Sequence, residues 1–274
     1  MIDGQAEALR AMAEAGVADP SGDFRRLYEW AYAKGEEDPE PQTRDAPNDW
    51  TLYLLKDAVD ARVARQPVSQ IIGTRAFWEH AFEVTPDVLD PRPDTETLVE
   101  AALARPFDHV LDIGTGSGCI LLSLLAARPT ASGIGVDISE PALAVARRNA
   151  AALELTDRAV FRRSDWLAEV PEQFDLIVSN PPYIDAASYS ALEPEVRQWE
   201  PRSALEAGPD GLDAYRAIAA QVPKALKPGG RLLLEIGHDQ GQSVPKLLAG
   251  AGIETVNLLK DLNGKDRVVV ANLI

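Results

Sequence analysis

A single cysteine, Cys119, occurs among 274 residues, so no disulfide can form within the chain and a reducing compartment fits. The plain reading of that thiol is a small buried hydrophobe. Long apolar runs are missing as well: none reaches the roughly 18 residues that a membrane-spanning helix needs. The opening residues, MIDGQAEALRAMAEAG, read as the start of an amphipathic helix and lack the basic, apolar and small-residue order of a secretory signal. Histidine is scarce; His80, His109 and His238 are scattered without metal-ligand spacing, so no metal site is expected. Basic residues are outnumbered, 27 Lys+Arg against 43 Asp+Glu, for a net charge of −16. Grip on nucleic acid comes largely from neutralising phosphates, and no basic cluster is visible. The acidic balance serves solubility and permits a basic protein partner without requiring one.

What is present suits a folded enzyme of one large domain and a smaller one. Residues 1–70 read as a helical N-terminal domain, with apolar positions at helical spacing in Ala8, Leu9 and Met12, in Phe24, Leu27 and Tyr28, and in Leu52, Leu55, Val59 and Val63. A polar, proline-rich loop, EEDPEPQTRDAPND, interrupts them. Residues 71–92 read as a linking β-hairpin, with strand formers Phe77, Trp78, Phe82 and Val84 around a turn at Glu79-His80. Over residues 93–274 a helix begins in PRPDTETLVEAAL, with Asp94 or Thr95 as its N-cap, and strand and helix patterns then alternate. HVLDIG, SGIGVD, AVFRRSD, FDLIVSN, RLLLEIG, IETVNLLKD and DRVVVANLI are the strand candidates. Such alternation predicts an α/β domain with a mainly parallel sheet covered on both faces.

The chemistry-bearing residues fall at strand ends. Gly114-Thr115-Gly116-Ser117-Gly118 follows the first strand of the alternating region, where glycine allows close approach of a ligand to the backbone. The spacing G-x-G-x-G is not the dinucleotide fingerprint and resembles the first motif of class I methyltransferases. Asp137 ends the next strand; its carboxylate can accept hydrogen bonds from both ribose hydroxyls of a nucleoside, or serve the dipole of the helix starting at Ser139. Asp165-Trp166 follows the third strand, placed for an adenine amino group and an adenine pocket wall, although Trp166 equally suits ordinary packing. Asn180-Pro181-Pro182-Tyr183 ends FDLIVSN. The prolines fix two φ angles and remove two N–H donors, leaving an amide oxygen and carbonyls on a stiff backbone. Such acceptors hold a planar NH₂ and aim its lone pair, with Tyr183 as a flat wall.

The segments QPVSQIIGTRAFWEHAFEV, PRPDTETLVE, LDIGTGSGCILLSL, GVDISEPALAVARRNA, SDW, FDLIVSNPPYI, EPRSALEAGPDGLDAYR and LKPGGRLLLEIGHDQ together resemble the HemK/PrmC family of peptide-chain release factor N5-glutamine methyltransferases. The resemblance runs from about Gln66 to the C-terminus. It implies a class I S-adenosylmethionine-dependent methyltransferase domain, Rossmann-like with a seven-stranded sheet and an antiparallel last strand. It implies S-adenosyl-L-methionine at Gly114, Thr115, Gly116, Ser117, Gly118, Asp137, Trp166 and Asn180, with Asp165 added from its own strand-end position. Substrate contacts fall to Asn180, Pro181, Pro182 and Tyr183, and catalysis to Asn180, Pro181 and Tyr183. The substrate implied is the glutamine of the Gly-Gly-Gln motif in class I release factors, in the cytoplasm, with the helical domain helping to seat that partner. A monomer is expected, with no nucleic-acid or membrane partner. Arg92 and Glu96 stay outside the site, since a structural salt bridge serves them as well.

Two other readings share parts of this pattern. An adenine N6-methyltransferase uses the same NPPY chemistry but needs a base-flipping surface and a basic groove. A cofactor-binding module without activity would have no use for the NPPY acceptors.

Overall fold

The computed structural model describes residues 4–38, 40–44 and 46–273. The first three residues of the expected opening helix lie outside that range. The chain divides into a helical unit, running through Thr74 and including Glu193–Trp199, and a larger unit made of Arg75–Leu192 and the residues from Glu200 onward.

In the helical unit, α1 (Gln5–Glu14), α2 (Pro20–Gly35), α3 (Asp49–Val63) and α4 (Val68–Ile72) follow from local signals. Asp19 accepts from the Gly22 amide at 2.9 Å and Pro20 opens α2, while Asn48 accepts from the Thr51 amide at 2.9 Å to cap α3. Each cap satisfies an amide that the helix itself leaves unpaired. Met12, Phe24, Leu27, Ala31, Leu55, Ala58 and Val59 form its buried core. Beside that core Arg62 pairs with Asp23 at 2.7 Å and with Glu195 at 2.9 Å, and Arg65 adds a 2.7 Å bond to Glu195. A carboxylate from a segment far along the chain thereby belongs to the helical unit.

In the larger unit, β1 (Thr74–Phe77) and β2 (His80–Glu83) form the hairpin. Its turn falls at Trp78-Glu79, one residue earlier than the sequence suggests. Trp78 takes a left-handed φ of 53°, and its amide donates to Glu96 Oε1 at 2.9 Å. A 3₁₀ turn at Pro93–Thr95 then leads into α5 (Glu96–Leu103). The elements that follow are β3 (His109–Ile113), α6 (Cys119–Ala127), β4 (Ser132–Asp137), α7 (Glu140–Ala152), β5 (Ala159–Arg163), β6 (Phe174–Ser179), α8 (Ala186–Tyr189), α9 (Pro194–Trp199, which belongs to the helical unit), α10 (Asp213–Ala225), β7 (Leu226–Glu235), α11 (Ser243–Gly250), β8 (Ile253–Lys260) and β9 (Asp266–Leu273).

The sheet has seven strands in the order β5-β4-β3-β6-β7-β9-β8. The first five are parallel; β9 runs antiparallel to both β7 and β8. Side-chain alternation divides the strands between two buried faces. Val110 and Leu233 pack with Leu98 of α5 and Leu122 of α6, while Leu111, Ile113, Leu232 and Leu234 pack with Tyr215 and Ile218 of α10. A fully buried leucine contributes roughly 2 kcal/mol, so both faces are needed and the strands read as near-continuous apolar runs. Strand order departs in opposite directions from β3 and β6, and open α/β sheets bind ligands at the strand ends beside such a reversal. The glycine loop leaves β3 there, and Asn180 leaves β6 next to it. Among the described residues no helix is long and apolar enough to cross a membrane, and no group of His, Cys, Asp and Glu could hold a metal ion.

Candidate active site

A cleft of about 450 Å³ opens at these strand ends. Gly114, Gly116, Asp137, Asp165, Trp166, Asn180 and Pro182 line it, so four stretches far apart in sequence meet at one place. Thr115, Ser117, Gly118, Pro181 and Tyr183 are not among its lining residues.

The glycine loop shows why its members differ. Gly114 and Gly116 have φ of 68° and 54°, and a Cβ on either would meet no heavy atom within 4 Å. Both positions therefore favour glycine by conformation, and they leave open space toward the cleft. At Gly118, with φ of 80°, a Cβ would come within 3.2 Å of Ala146 and of Leu122. That glycine lets α6 pack closely. Thr115 is buried and donates to Asp112 Oδ2 at 2.7 Å, and Ser117 offers its carbonyl to Asn149 Nδ2 at 2.9 Å. Asp137 closes the loop from the next strand: Oδ2 accepts from the Gly116 amide at 3.0 Å and Oδ1 from the Ser139 amide at 2.9 Å. Burial raises its pKa, and these backbone donors work against that rise. Each carboxylate oxygen keeps a further lone pair for a ligand hydroxyl. Ser139 itself caps α7 through the Ala142 amide at 3.3 Å. Trp166, which also lines the cleft, holds a left-handed φ of 53°, uncommon for a bulky residue and of the kind that marks functional sites.

At the end of β6, Asn180 Nδ2 donates to the Thr95 hydroxyl at 3.1 Å. Thr95 stands at the N-cap position of α5, one of the two residues the sequence offers for it, but forms no side-chain cap bond there. Pro181 is buried, and burial pushes the Tyr183 phenol up to about 12. The backbone of this turn is fixed from the segment after β7: Gln240 Nε2 donates to the carbonyls of Tyr183 and Gly211, each at 3.1 Å. Ile184 exchanges backbone bonds with Leu205 and Ala207 at 2.9 Å.

Residues 87–195 match the family model described as the methyltransferase small domain. The chain is 54% identical over 275 aligned positions to a release factor glutamine methyltransferase of Cereibacter sphaeroides, covering 98% of each chain. It is 45% identical to one of Caulobacter vibrioides, covering 94% of this chain and 91% of that one. This chain belongs to the release factor glutamine methyltransferase family. The crystal structure of a methyltransferase from Pyrococcus furiosus shares the fold at a TM-score of 0.54 and 18% identity, over 77% of this chain and 95% of that one.

The family's cofactor is S-adenosylmethionine, and the cleft suits it. Open space lies before two glycines, an aspartate with spare acceptors stands at the β4 edge, and an indole lines the wall. Residues with no sequence-level assignment also line it, among them Asp87, Val88, Leu89, Ser203, Glu206 and Asp213. Ser203, Glu206 and Asp213 lie within one of the family stretches, and Asp87, Val88 and Leu89 within the segment read as the linking hairpin. Also missed was Glu235, which ends β7 fully buried, with no hydrogen-bond partner for Oε2. Arg92 and Glu96 have structural partners: Arg92 Nη2 lies 2.6 and 2.7 Å from the two oxygens of buried Glu200, and Glu96 holds the hairpin turn.

Proposed function

We propose that this protein transfers a methyl group from S-adenosylmethionine to the side-chain amide nitrogen, N5, of the glutamine in the Gly-Gly-Gln motif of class I release factors. The observation that carries this reading is Asn180, which lines the cleft with its amide anchored on Thr95. An anchored amide leaves its oxygen as an acceptor for a substrate NH₂ at the strand edge where the cofactor cradle lies.

The chemistry divides between cofactor and protein. When bound, S-adenosylmethionine supplies an electrophilic methyl group on a sulfonium. Asn180 Oδ1 and the Pro181 carbonyl accept the two N–H bonds of the glutamine amide, turning its lone pair toward the donor. Tyr183 bounds the planar group. An amide nitrogen is a weak nucleophile, so alignment is the protein's main contribution, worth several kcal/mol at near-attack geometry. The same acceptors stabilise the positive charge that grows on nitrogen before its proton leaves for solvent. Gly114 through Gly118, Asp137, Asp165 and Trp166 hold the cofactor within a domain spanning 93–274. The helical domain at 1–70 seats the release factor, and the hairpin at 71–92 links them. The reaction takes place in the cytoplasm, where translation terminates, with the enzyme as a monomer and with neither nucleic acid nor membrane as partner.

Purified protein, labelled S-adenosylmethionine and an intact class I release factor provide the test. Mass spectrometry should find one added methylene unit on the Gly-Gly-Gln glutamine. A short peptide carrying the same glutamine should accept far less, because it lacks the remote contacts that supply positioning energy. Saturable labelling of adenine in DNA or RNA, with the release factor unmodified, would overturn this assignment in favour of a base methyltransferase.

A further inference from the structure

Behind Asn180 lies a buried polar chain that the proposed chemistry does not use. The Thr95 hydroxyl, only 2% exposed, accepts from Asn180 Nδ2 at 3.1 Å. The neighbouring carboxyl is that of Glu235, 1% exposed, whose pKa the Thr95 hydroxyl lowers and whose Oε2 has no hydrogen-bond partner. Thr95, Asn180 and Glu235 come from the turn before α5, the end of β6 and the end of β7. We propose that Glu235, acting through the Thr95 hydroxyl, is a positioning residue that sets which side of the Asn180 amide is presented to the acceptor nitrogen. This rests on the reading of Asn180 as the group that holds the substrate amide.

The polarity follows from donor and acceptor counting. A carboxylate only accepts, so ionised Glu235 takes the single Thr95 proton. Thr95 then has lone pairs alone to offer Asn180. Asn180 must turn Nδ2 toward Thr95, and Oδ1 is left for the substrate NH₂. A protonated Glu235 can donate instead, freeing the Thr95 proton for Asn180 Oδ1. The amide then turns over and presents its own N–H donors to a nitrogen that needs acceptors. Asn amide orientation is decided by such networks, and a buried network enforces it strongly because an unsatisfied polar group there is costly.

The surroundings make the carboxyl a titrating group in the neutral range. Burial pushes Glu235 up to about 7, with Thr95, Arg267 and Arg92 lowering it and Asp94 raising it. Tyr183 from the NPPY turn, Tyr215 from α10 and Cys119 from α6 also feel its charge. Tyr215 donates to the Glu235 backbone carbonyl at 3.0 Å and makes no bond to its carboxyl.

The test is methyl transfer to an intact release factor by Thr95→Val, Thr95→Ser, Glu235→Gln and Asn180→Ala, with kcat, KM, cofactor Kd and thermal midpoint measured for each. Thr95→Val should lose tenfold or more in kcat with the cofactor Kd within about twofold of wild type, and Thr95→Ser should restore most of the loss. Wild-type kcat should rise with pH through about 7, and Glu235→Gln should flatten that rise. A folded Thr95→Val with wild-type kcat, or a Glu235→Gln with the wild-type pH profile, overturns the relay. If those variants are unaffected while Asn180→Ala is severely impaired, only the relay fails. If Asn180→Ala itself turns over normally, the reading of the site fails with it.

Discussion

The Asp137 carboxylate accepts a hydrogen bond from the Gly116 amide at 3.0 Å. The loop after β3 and the end of β4 are thereby held by one side chain, whose second oxygen takes the Ser139 amide at 2.9 Å. Ribose recognition and helix support, alternatives in the sequence, are compatible here because a carboxylate has lone pairs for both.

Asp137→Ala should weaken S-adenosylmethionine binding by about 1–3 kcal/mol, the scale of a lost charge-assisted hydrogen bond. Asp137→Asn should not be conservative, since its NH₂ must face one of the two backbone donors. Calorimetric titration decides; wild-type affinity in a folded Asp137→Ala would remove the residue from the site.

The glycines of the loop should separate by effect. Gly116→Ala places a methyl in open space at φ 54°, so it should cost roughly 1–2 kcal/mol in backbone strain and more in cofactor affinity. Gly118→Ala, crowded by Ala146 and Leu122 at 3.2 Å, should lower the thermal midpoint chiefly. Equal loss of cofactor binding in both, at unchanged midpoints, would contradict the division drawn from the cleft.

Asn180→Ala should reduce turnover far more than release-factor affinity, because alignment counts mostly in the transition state. Tyr183→Phe should be mild and Tyr183→Ala severe, the ring being the part that packs against the core. A severe phenylalanine variant would assign the hydroxyl a role of its own.

Stability should carry a signature of buried carboxyls. Burial raises Glu235 from 4.5 and Asp112 from 3.8, each to about 7. Between those limits the folded state binds more protons than the unfolded one, so their contribution is full at acid pH and is lost as pH rises through about 7. Relative to wild type, Glu235→Gln should therefore gain roughly 3 kcal/mol between about pH 4.5 and pH 7.5. Denaturant unfolding across that range measures it, and a pH-independent difference would show that Glu235 titrates normally.

The sequence by itself determined the strands and what ends them. Runs such as HVLDIG and FDLIVSN are apolar enough to be buried on both faces, and glycine or proline fixes where each stops. Because parallel strands place their ends on one edge, Gly114, Asp137, Asp165 and Asn180 could be assigned to one site before any coordinates. Tertiary structure alone decided what stands behind them. Thr95 carries a local helix-cap signal, yet its hydroxyl serves Asn180, 85 positions away. Glu235 reads as the polar end of an apolar strand, and Glu195 as one more acid in an acidic chain until Arg62 and Arg65 draw it into the helical unit. Periodicity reports which face a residue occupies. It does not report the partner that a buried polar group must find, and that partner is fixed only when distant segments pack.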